Sequence, residues 1–198
     1  MVPEVSRPMK LNLETPRLAL IPLTAGDLDL AIELFTDEAV TRYVGDVKSR
    51  ADIEREMTDY VRRGAGGCIG IWCIQRREDG EKLGTAVLLP MPVDKEDTDW
   101  SLVVPDRFPD ADVEIGYLLK RAAWGMGYAT EAAARLLRFA FEETPLDRVV
   151  AVTDPDNHAS RRVLRKIGLR DAGERLAYGT TCAAFSLTRT QWRAMAPE

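Results

Sequence analysis

Apolar and polar positions change their period along this chain, and each change marks an element. Over residues 9–22, Leu11, Leu13, Leu18 and Leu20 alternate with polar neighbours, with a break at Thr15-Pro16. A period of two predicts a strand, here an interrupted one. Thr24-Ala-Gly-Asp27 has the form of an acidic capping box, and Leu28, Ala31, Ile32 and Phe35 follow it on one helical stripe. Ser49-Arg-Ala-Asp52 repeats the signal before a helix that carries Ile53, Met57, Tyr60 and Val61 inward and ends near Gly64. Residues 67–75 and 82–89 read as two strands joined by Glu78-Asp-Gly-Glu81, most simply as a hairpin.

Residues 90–112 lose the periodicity and carry the acids Asp94, Glu96, Asp97 and Asp99. A loop this long inside a domain is functional or mobile as a rule. Within it, Trp100-Ser-Leu-Val-Val104 fits either a short strand or a segment packed over a site. Residues 113–119 form an apolar core strand. Ala133, Leu136, Leu137, Ala140 and Phe141 then follow helical spacing as far as Pro145, and 148–153 is a β-branched strand. Asp154-Pro-Asp-Asn157 is a turn and N-cap cluster. It leads into a helix with Ser160, Val163, Leu164 and Ile167 on one stripe, closed by Gly168. Strand-like runs at 174–178 and 182–188 finish the pattern. Early hairpins followed by alternating helices and strands predict an α/β fold, a mixed sheet with helices on both faces.

With 198 residues, 45% of them hydrophobic and 30% charged, the chain suits one domain over 9–198, with a loose tail at 1–8 and an insertion at 90–112. No apolar run approaches the ~20 residues that span a bilayer, so no membrane partner is expected. The first ten residues lack the apolar core of a signal peptide, which makes cytoplasmic residence the expectation. A net charge of −5 argues against nucleic acid as a partner, since that needs an extended basic surface. Cys68, Cys73 and Cys182 contain no CxxC pair, and with His158 the single histidine there is no zinc-ligand spacing. Cys68 and Cys73 fall in one strand-like run with opposite parity and are expected as buried, reduced packing residues.

Candidate chemistry gathers around Gly125 and Gly127, which lie between the core strand and a helix. Without Cβ atoms such a turn brings backbone N–H groups close to a ligand. The helix adds unpaired N–H groups and the positive end of its dipole, which together suit a phosphate. A purely structural tight turn is the alternative. A dinucleotide fingerprint would need glycine at Thr130, and a P-loop would need Gly-Lys-Ser/Thr; both are missing. Asn157 suits an N-cap whatever the function, and Ser160 could serve a ligand or the backbone. Arg161, Arg162, Arg165 and Lys166 have no acid three or four positions away within their helix. They form either a solvated face or a partner for a phosphate-rich ligand. Glu114 lies on the strand face opposite Val113, Ile115 and Tyr117, as a general base or as a residue paired with an arginine. His158 and Ser160, two apart on a helix, point in different directions and do not form a Ser–His pair.

Four stretches, in this order, resemble the GNAT superfamily of acyl-CoA N-acyltransferases, in its RimJ/RimL-like branch. They are Leu13-Glu-Thr-Pro-Arg-Leu18 with Ile21-Pro-Leu23, Glu114-Ile-Gly-Tyr117, Trp124-Gly-Met-Gly-Tyr-Ala-Thr-Glu-Ala132, and Asn157-His-Ala-Ser-Arg-Arg-Val-Leu-Arg-Lys-Ile-Gly168. The resemblance implies a central, mostly antiparallel, splayed sheet of about seven strands with helices on both faces. It implies acetyl-CoA as donor and coenzyme A as product. Trp124, Gly125, Met126, Gly127, Tyr128 and Ala129 would cradle the pyrophosphate, with Thr130 beside them in the cofactor-binding set. Leu118 and Leu119 would offer backbone hydrogen bonds to the pantetheine arm. Asn157 and Ser160 would line the thiol, and Arg162 would join the cofactor-binding set.

The implied chemistry is direct attack of a neutral amine on the thioester. Glu114, or water held by it, would take the amine proton, and Ser160 would protonate the departing thiolate. The acceptor would be a primary amine, on a protein N-terminus or a small molecule, and a homodimer is left open. The alternative is a non-catalytic acyl-CoA-binding module. Tyr178-Gly-Thr-Thr-Cys-Ala-Ala-Phe185 departs from the branch, whose members carry a polar, acidic stretch that shapes the acceptor pocket. The acids of 90–112 would favour a cationic acceptor, unless the segment is a lid or a dimer contact.

Overall fold

The computed structural model describes residues 9–195, so the tail expected at 1–8 lies outside the described residues. Thr15-Pro16 turns the chain back on itself. The first alternating segment therefore forms two strands, β1 (Leu13–Glu14) and β2 (Leu18–Pro22), with Leu13 opposite Leu20. Pro16 has no N–H to offer, and the Thr15 hydroxyl closes the turn by accepting from Leu18 N at 2.8 Å. β3 (Gly70–Arg76) and β4 (Lys82–Pro90) form the expected hairpin, and β5 (Val113–Leu119) adds to β4 antiparallel. β6 (Arg148–Thr153), β7 (Arg170–Ala177) and β8 (Thr180–Thr188) complete an eight-stranded sheet of order β1-β2-β3-β4-β5-β6-β8-β7. The strand beyond the seven expected comes from the split at Thr15-Pro16.

One neighbouring pair is parallel, β5 with β6, and its register holds a single pair, Glu114 opposite Val150. All the others are antiparallel. From Ile115 to Leu119 no ladder joins β5 to β6 among the described residues, and the sheet opens there.

Helices cover both faces. α1 (Leu28–Phe35) follows the Thr24–Asp27 capping box, and α3 (Arg50–Tyr60) is capped by the Ser49 side chain. Between them lies α2 (Glu38–Thr41), capped by Asp37 and too short to show a period in sequence. α4 (Tyr128–Glu143) and α5 (His158–Lys166) precede and follow β6. Trp72 of β3 packs edge-on against Phe139 of α4, with ring centroids 5.8 Å apart, and its indole N–H donates to Leu11 O at 2.9 Å. Cys73, the next residue, points to the other face, toward Asp27 and its ion-pair partner Lys82. Residues 70–74 are all buried, as a strand covered on both sides requires.

The chain ends in a helix that the strand-like pattern did not predict. α6 (Arg189–Arg193) opens with a capping box of Thr188 and Gln191. Its Arg189 reaches back to α4 and donates to the carbonyls of Phe141, Thr144 (2.7 Å) and Leu146 (2.7 Å). Carbonyls at a helix C-terminus have no partners within the helix, so this one guanidinium caps α4. Cys68 lies in a turn ahead of β3, not in a strand; all three cysteines are buried and free. The 90–112 segment contains one helical turn, Trp100–Leu102, which sets Trp100 against Tyr60 of α3 with ring centroids 6.0 Å apart.

Gly84 holds β4 against the end of β5, where a Cβ would collide with the Leu118 carbonyl oxygen and Leu119 Cα. Gly84→Ala is expected to destabilise the fold by about 1–3 kcal/mol through this overlap. The measurement is urea unfolding, with a lower midpoint and an unchanged m-value. An unchanged midpoint would contradict the close approach of β4 and β5.

Candidate active site

The glycine turn is built by the end of β5. A short helical turn, Arg121–Ala123, follows the strand, and the Trp124 indole N–H donates back to Leu119 O at 2.8 Å. Gly125 (φ +74°) and Gly127 (φ +78°) then take left-handed backbone that side chains disfavour. A Cβ on Gly125 would meet nothing within 4 Å, so the space before it is open. Among the described residues, the amides of 125–130 have no hydrogen-bond acceptor. Such a row of free N–H groups, at the positive end of a sixteen-residue helix, suits an anion.

A clamp from the N-terminal strands holds this turn. Arg17 Nε pairs with Glu131 Oε2 at 2.6 Å, and Arg17 Nη1 donates to Met126 O at 3.0 Å. The guanidinium also lies 4.6 Å from the centre of the Tyr128 ring. Thr15 Oγ1 and Arg17 N both donate to Glu131 Oε1, at 2.6 and 3.0 Å. Burial works to raise the Glu131 pKa, but the bonds from Thr15 and Arg17 outweigh it and hold the carboxyl below its ordinary value. The charge of Glu131 at the helix start is thus neutralised by Arg17, which leaves the free amides attractive to an anion. The spacing of residues gives Arg17 no role; its only signal is its place within the Leu13–Leu18 motif.

The register decides which parts of β5 face the opening. Lys120 N donates to Leu83 O and Met91 N to Asp112 O, which sets the phase of the β4–β5 ladder. Alternation then turns the backbone groups of Glu114, Gly116 and Leu118 toward β4, and those of Ile115, Tyr117 and Leu119 toward β6. Leu118 therefore does not offer its backbone to the opening, contrary to expectation, because Thr85 of β4 uses it. Leu119 faces the opening, with its carbonyl already taken by Trp124.

Two polar clusters flank the opening. On the α5 side, Asn157 is the N-cap, and its Oδ1 accepts from Ser160 N at 3.0 Å. The Tyr117 hydroxyl lies 3.1 Å from both Ser160 O and Ser160 Oγ, so it donates to the carbonyl and can accept from the side chain. Burial pushes the Tyr117 phenol up to about 12, which keeps it protonated. In sequence Tyr117 shows only a place on a strand face. Its contact to Ser160 spans 43 positions and leaves no local pattern. Arg161 donates to Pro155 O and Arg165 pairs with Asp171, whereas Arg162 is exposed and has no ion pair among the described residues.

On the opposite face, Glu114 is 5% exposed, beside the apolar cluster of Met91, Val150 and Ala177. No arginine pairs with it among the described residues. The Tyr178 hydroxyl, from the turn between β7 and β8, donates to Glu114 Oε1. Burial first, and then the charge of Asp97, push the Glu114 carboxyl up to about 8. A carboxyl with that value exchanges a proton near neutral pH, as a general base must.

Comparison with known proteins identifies the family and the fold. The family model described as an acetyltransferase (GNAT) domain matches residues 17–170. Bacillus subtilis YkkB is 31% identical over 137 residues, which cover 69% of this chain and 71% of that protein. The FsC-acetyl coenzyme A-N(2)-transacetylase of Aspergillus fumigatus is 30% identical over 159 residues, 80% of this chain and 64% of that enzyme. Among solved structures, an acetyltransferase from Agrobacterium tumefaciens superposes with a TM-score of 0.70 at 23% identity, covering 90% of this chain and 95% of that one. The aminoglycoside acetyltransferase AAC(6')-Ib, in complex with coenzyme A, shares the fold with a TM-score of 0.69 at 17% identity, over 90% of this chain and 98% of that one. The chain therefore belongs to the GNAT acetyltransferase family and is an acetyl-CoA-dependent N-acetyltransferase.

Proposed function

We propose that this single domain, a member of the RimJ/RimL-like branch, acetylates a primary amine directly, with Glu114 as the base and Ser160 beside the leaving sulfur. The observation that carries the reading is a buried carboxylate, raised to about 8, at the last pair before β5 and β6 separate. At the far end of the same strand stands the row of free amides. Five residues of strand separate Glu114 from Leu119, about 17 Å, which leaves room for an extended arm between the two.

Acetyl-CoA supplies the activated acetyl group as a thioester. The amides of Gly125, Met126, Gly127, Tyr128, Ala129 and Thr130 would hold its pyrophosphate, with Trp124 shaping the turn. The backbone of Tyr117 and Leu119 would line its arm in the opening. Arg162, exposed on α5, is free to approach a phosphate. Asn157 fixes the first turn of α5, and Tyr117 turns the Ser160 hydroxyl toward the opening. Ser160 can then give a proton to the sulfur as it leaves. Glu114, once ionised, removes the proton that would otherwise block attack by the amine. Holding both reactants in one opening supplies further acceleration through orientation.

Three outcomes follow. Gly125→Asp places a carboxylate before the free amides. It is expected to weaken acetyl-CoA binding at least tenfold and to abolish the upward thermal shift that the ligand gives the unaltered protein. An equal shift in both proteins would move the phosphate site elsewhere.

Because the base form of Glu114 grows as pH rises, kcat/KM should climb through neutral pH and level off above about 8. Glu114→Gln should lower kcat by about 10²–10⁴-fold and remove that limb. A preserved limb in Glu114→Gln would assign it to another group, and undiminished turnover would remove Glu114 from catalysis.

Stability should respond in the opposite sense. Unfolded, Glu114 ionises near 4.5; folded, it keeps its proton to about 8. Stability is thus lost as pH rises through that window. Glu114→Gln should raise the melting temperature above pH 8 and leave it nearly unchanged at about pH 4. A gain that does not depend on pH would deny the raised pKa.

A further inference from the structure

Glu114 has a problem of access. It is 5% exposed, so an amine arriving from solvent cannot reach its oxygens directly. Among the described residues its one hydrogen-bond partner is the Tyr178 hydroxyl. Tyr178 is itself only half-buried, and its hydroxyl is the group that meets the carboxylate.

The backbone at this residue carries a second, independent observation. Ala177 pairs with Thr180 across the β7–β8 hairpin, and the two residues between them, Tyr178 and Gly179, have φ of +52° and +69°. Two positive φ values make the tight hairpin turn that Asn-Gly or Gly-Gly satisfies without strain. A tyrosine in the first place is disfavoured by its own Cβ. Strain of this kind, held by the surroundings, is characteristic of functional sites. The surroundings here are the acidic loop. A Cβ on Gly179 would lie 3.2 Å from Glu96 Cγ, so the loop backs the turn. Asp97 of the same loop acts on Glu114 by charge, and Glu114 in turn acts on the buried Cys182 of β8.

We propose that Tyr178 is a catalytic residue that relays the acceptor's proton to Glu114. The acceptor ammonium N–H bond breaks as its proton passes to the Tyr178 oxygen. In the same movement the Tyr178 O–H bond breaks and its proton passes to a Glu114 oxygen. The ammonium becomes a neutral amine, the ionised carboxylate becomes a carboxylic acid, and the phenol is regenerated unchanged. The freed lone pair of the amine then attacks the thioester. The acceptor amine accordingly lies at the Tyr178 hydroxyl, where the charge of Asp97 is also felt. This inference rests on Glu114 being the base.

The test compares Tyr178→Phe, Glu114→Gln, the double variant and Tyr178→Asn by steady-state kinetics with acetyl-CoA. Spermidine, tyramine and a glycyl tripeptide serve as acceptors, with slow acetyl-CoA hydrolysis as the reaction followed if none is used. Tyr178→Phe should lower kcat about a hundredfold and leave the thermal shift with acetyl-CoA intact. The double variant should be no slower than Glu114→Gln alone, because the two residues act in one step. Tyr178→Asn should melt above Tyr178→Phe, since both lose the bond to Glu114 but Asn suits the turn, yet be as slow as Tyr178→Phe. A merely structural tyrosine would not separate stability from rate in this way.

Full activity in Tyr178→Phe beside a slow Glu114→Gln would overturn the relay and leave Glu114 as the base. Full activity in both would overturn the base assignment itself. A double variant slower than either single one by the product of their effects would show that Tyr178 acts in a separate step, which also refutes the relay.

Discussion

β5 and β6 lie side by side and parallel, yet share one pair of residues before they separate. A parallel ladder left incomplete exposes backbone groups that must find other partners. In β5 those belong to Ile115, Tyr117 and Leu119, because the antiparallel ladder with β4 already uses the alternate residues. The opening is therefore not a surface cleft cut into a finished sheet. It is a missing piece of the sheet, with backbone donors and acceptors along one wall. The glycine turn stands at its outer end and Glu114 at its inner end, so the length of one strand sets the distance between the free amides and the buried carboxyl.

The same opening must be kept rigid without the ladder that would ordinarily do so. At the outer end the work falls to side chains from distant parts of the chain. Arg17 and Thr15 fasten Glu131, and with it the first turn of α4, to the β1–β2 turn. At the other end of α4, Arg189 caps the free carbonyls from beyond β8. The helix whose N-terminus follows the glycine turn is thus held at both ends by arginines, each with several hydrogen bonds. A planar guanidinium with five donors can make such a multiple clamp, and a lysine could not.

Inside the opening, stability and chemistry pull apart. A carboxyl buried beside Met91, Val150 and Ala177 loses hydration that its charged form needs, and Asp97 adds repulsion. The fold tolerates this because a Tyr178 hydrogen bond satisfies the carboxyl. The β7–β8 turn gives up its best residues to supply that tyrosine. Two unfavourable local choices meet at one hydrogen bond, as expected where a structure serves a reaction and not only its own stability.

Much of the molecule was legible in the residues alone. Periodicity located all seven of the longer strands, β2 to β8, within a few positions, and the capping boxes at Thr24 and Ser49 marked the starts of α1 and α3. The glycine turn and the Asn157 cap were identified because backbone conformation at glycine and at a helix start is decided by neighbours in sequence. What could not be read is what depends on residues far apart. The Leu118 register, the clamp of Arg17 on Glu131, the Tyr117–Ser160 contact and the Tyr178–Glu114 bond all join segments many positions apart. Local chemistry is written in local order. Which side chains share a site is decided by the packing of the whole sheet, and no period or motif records that.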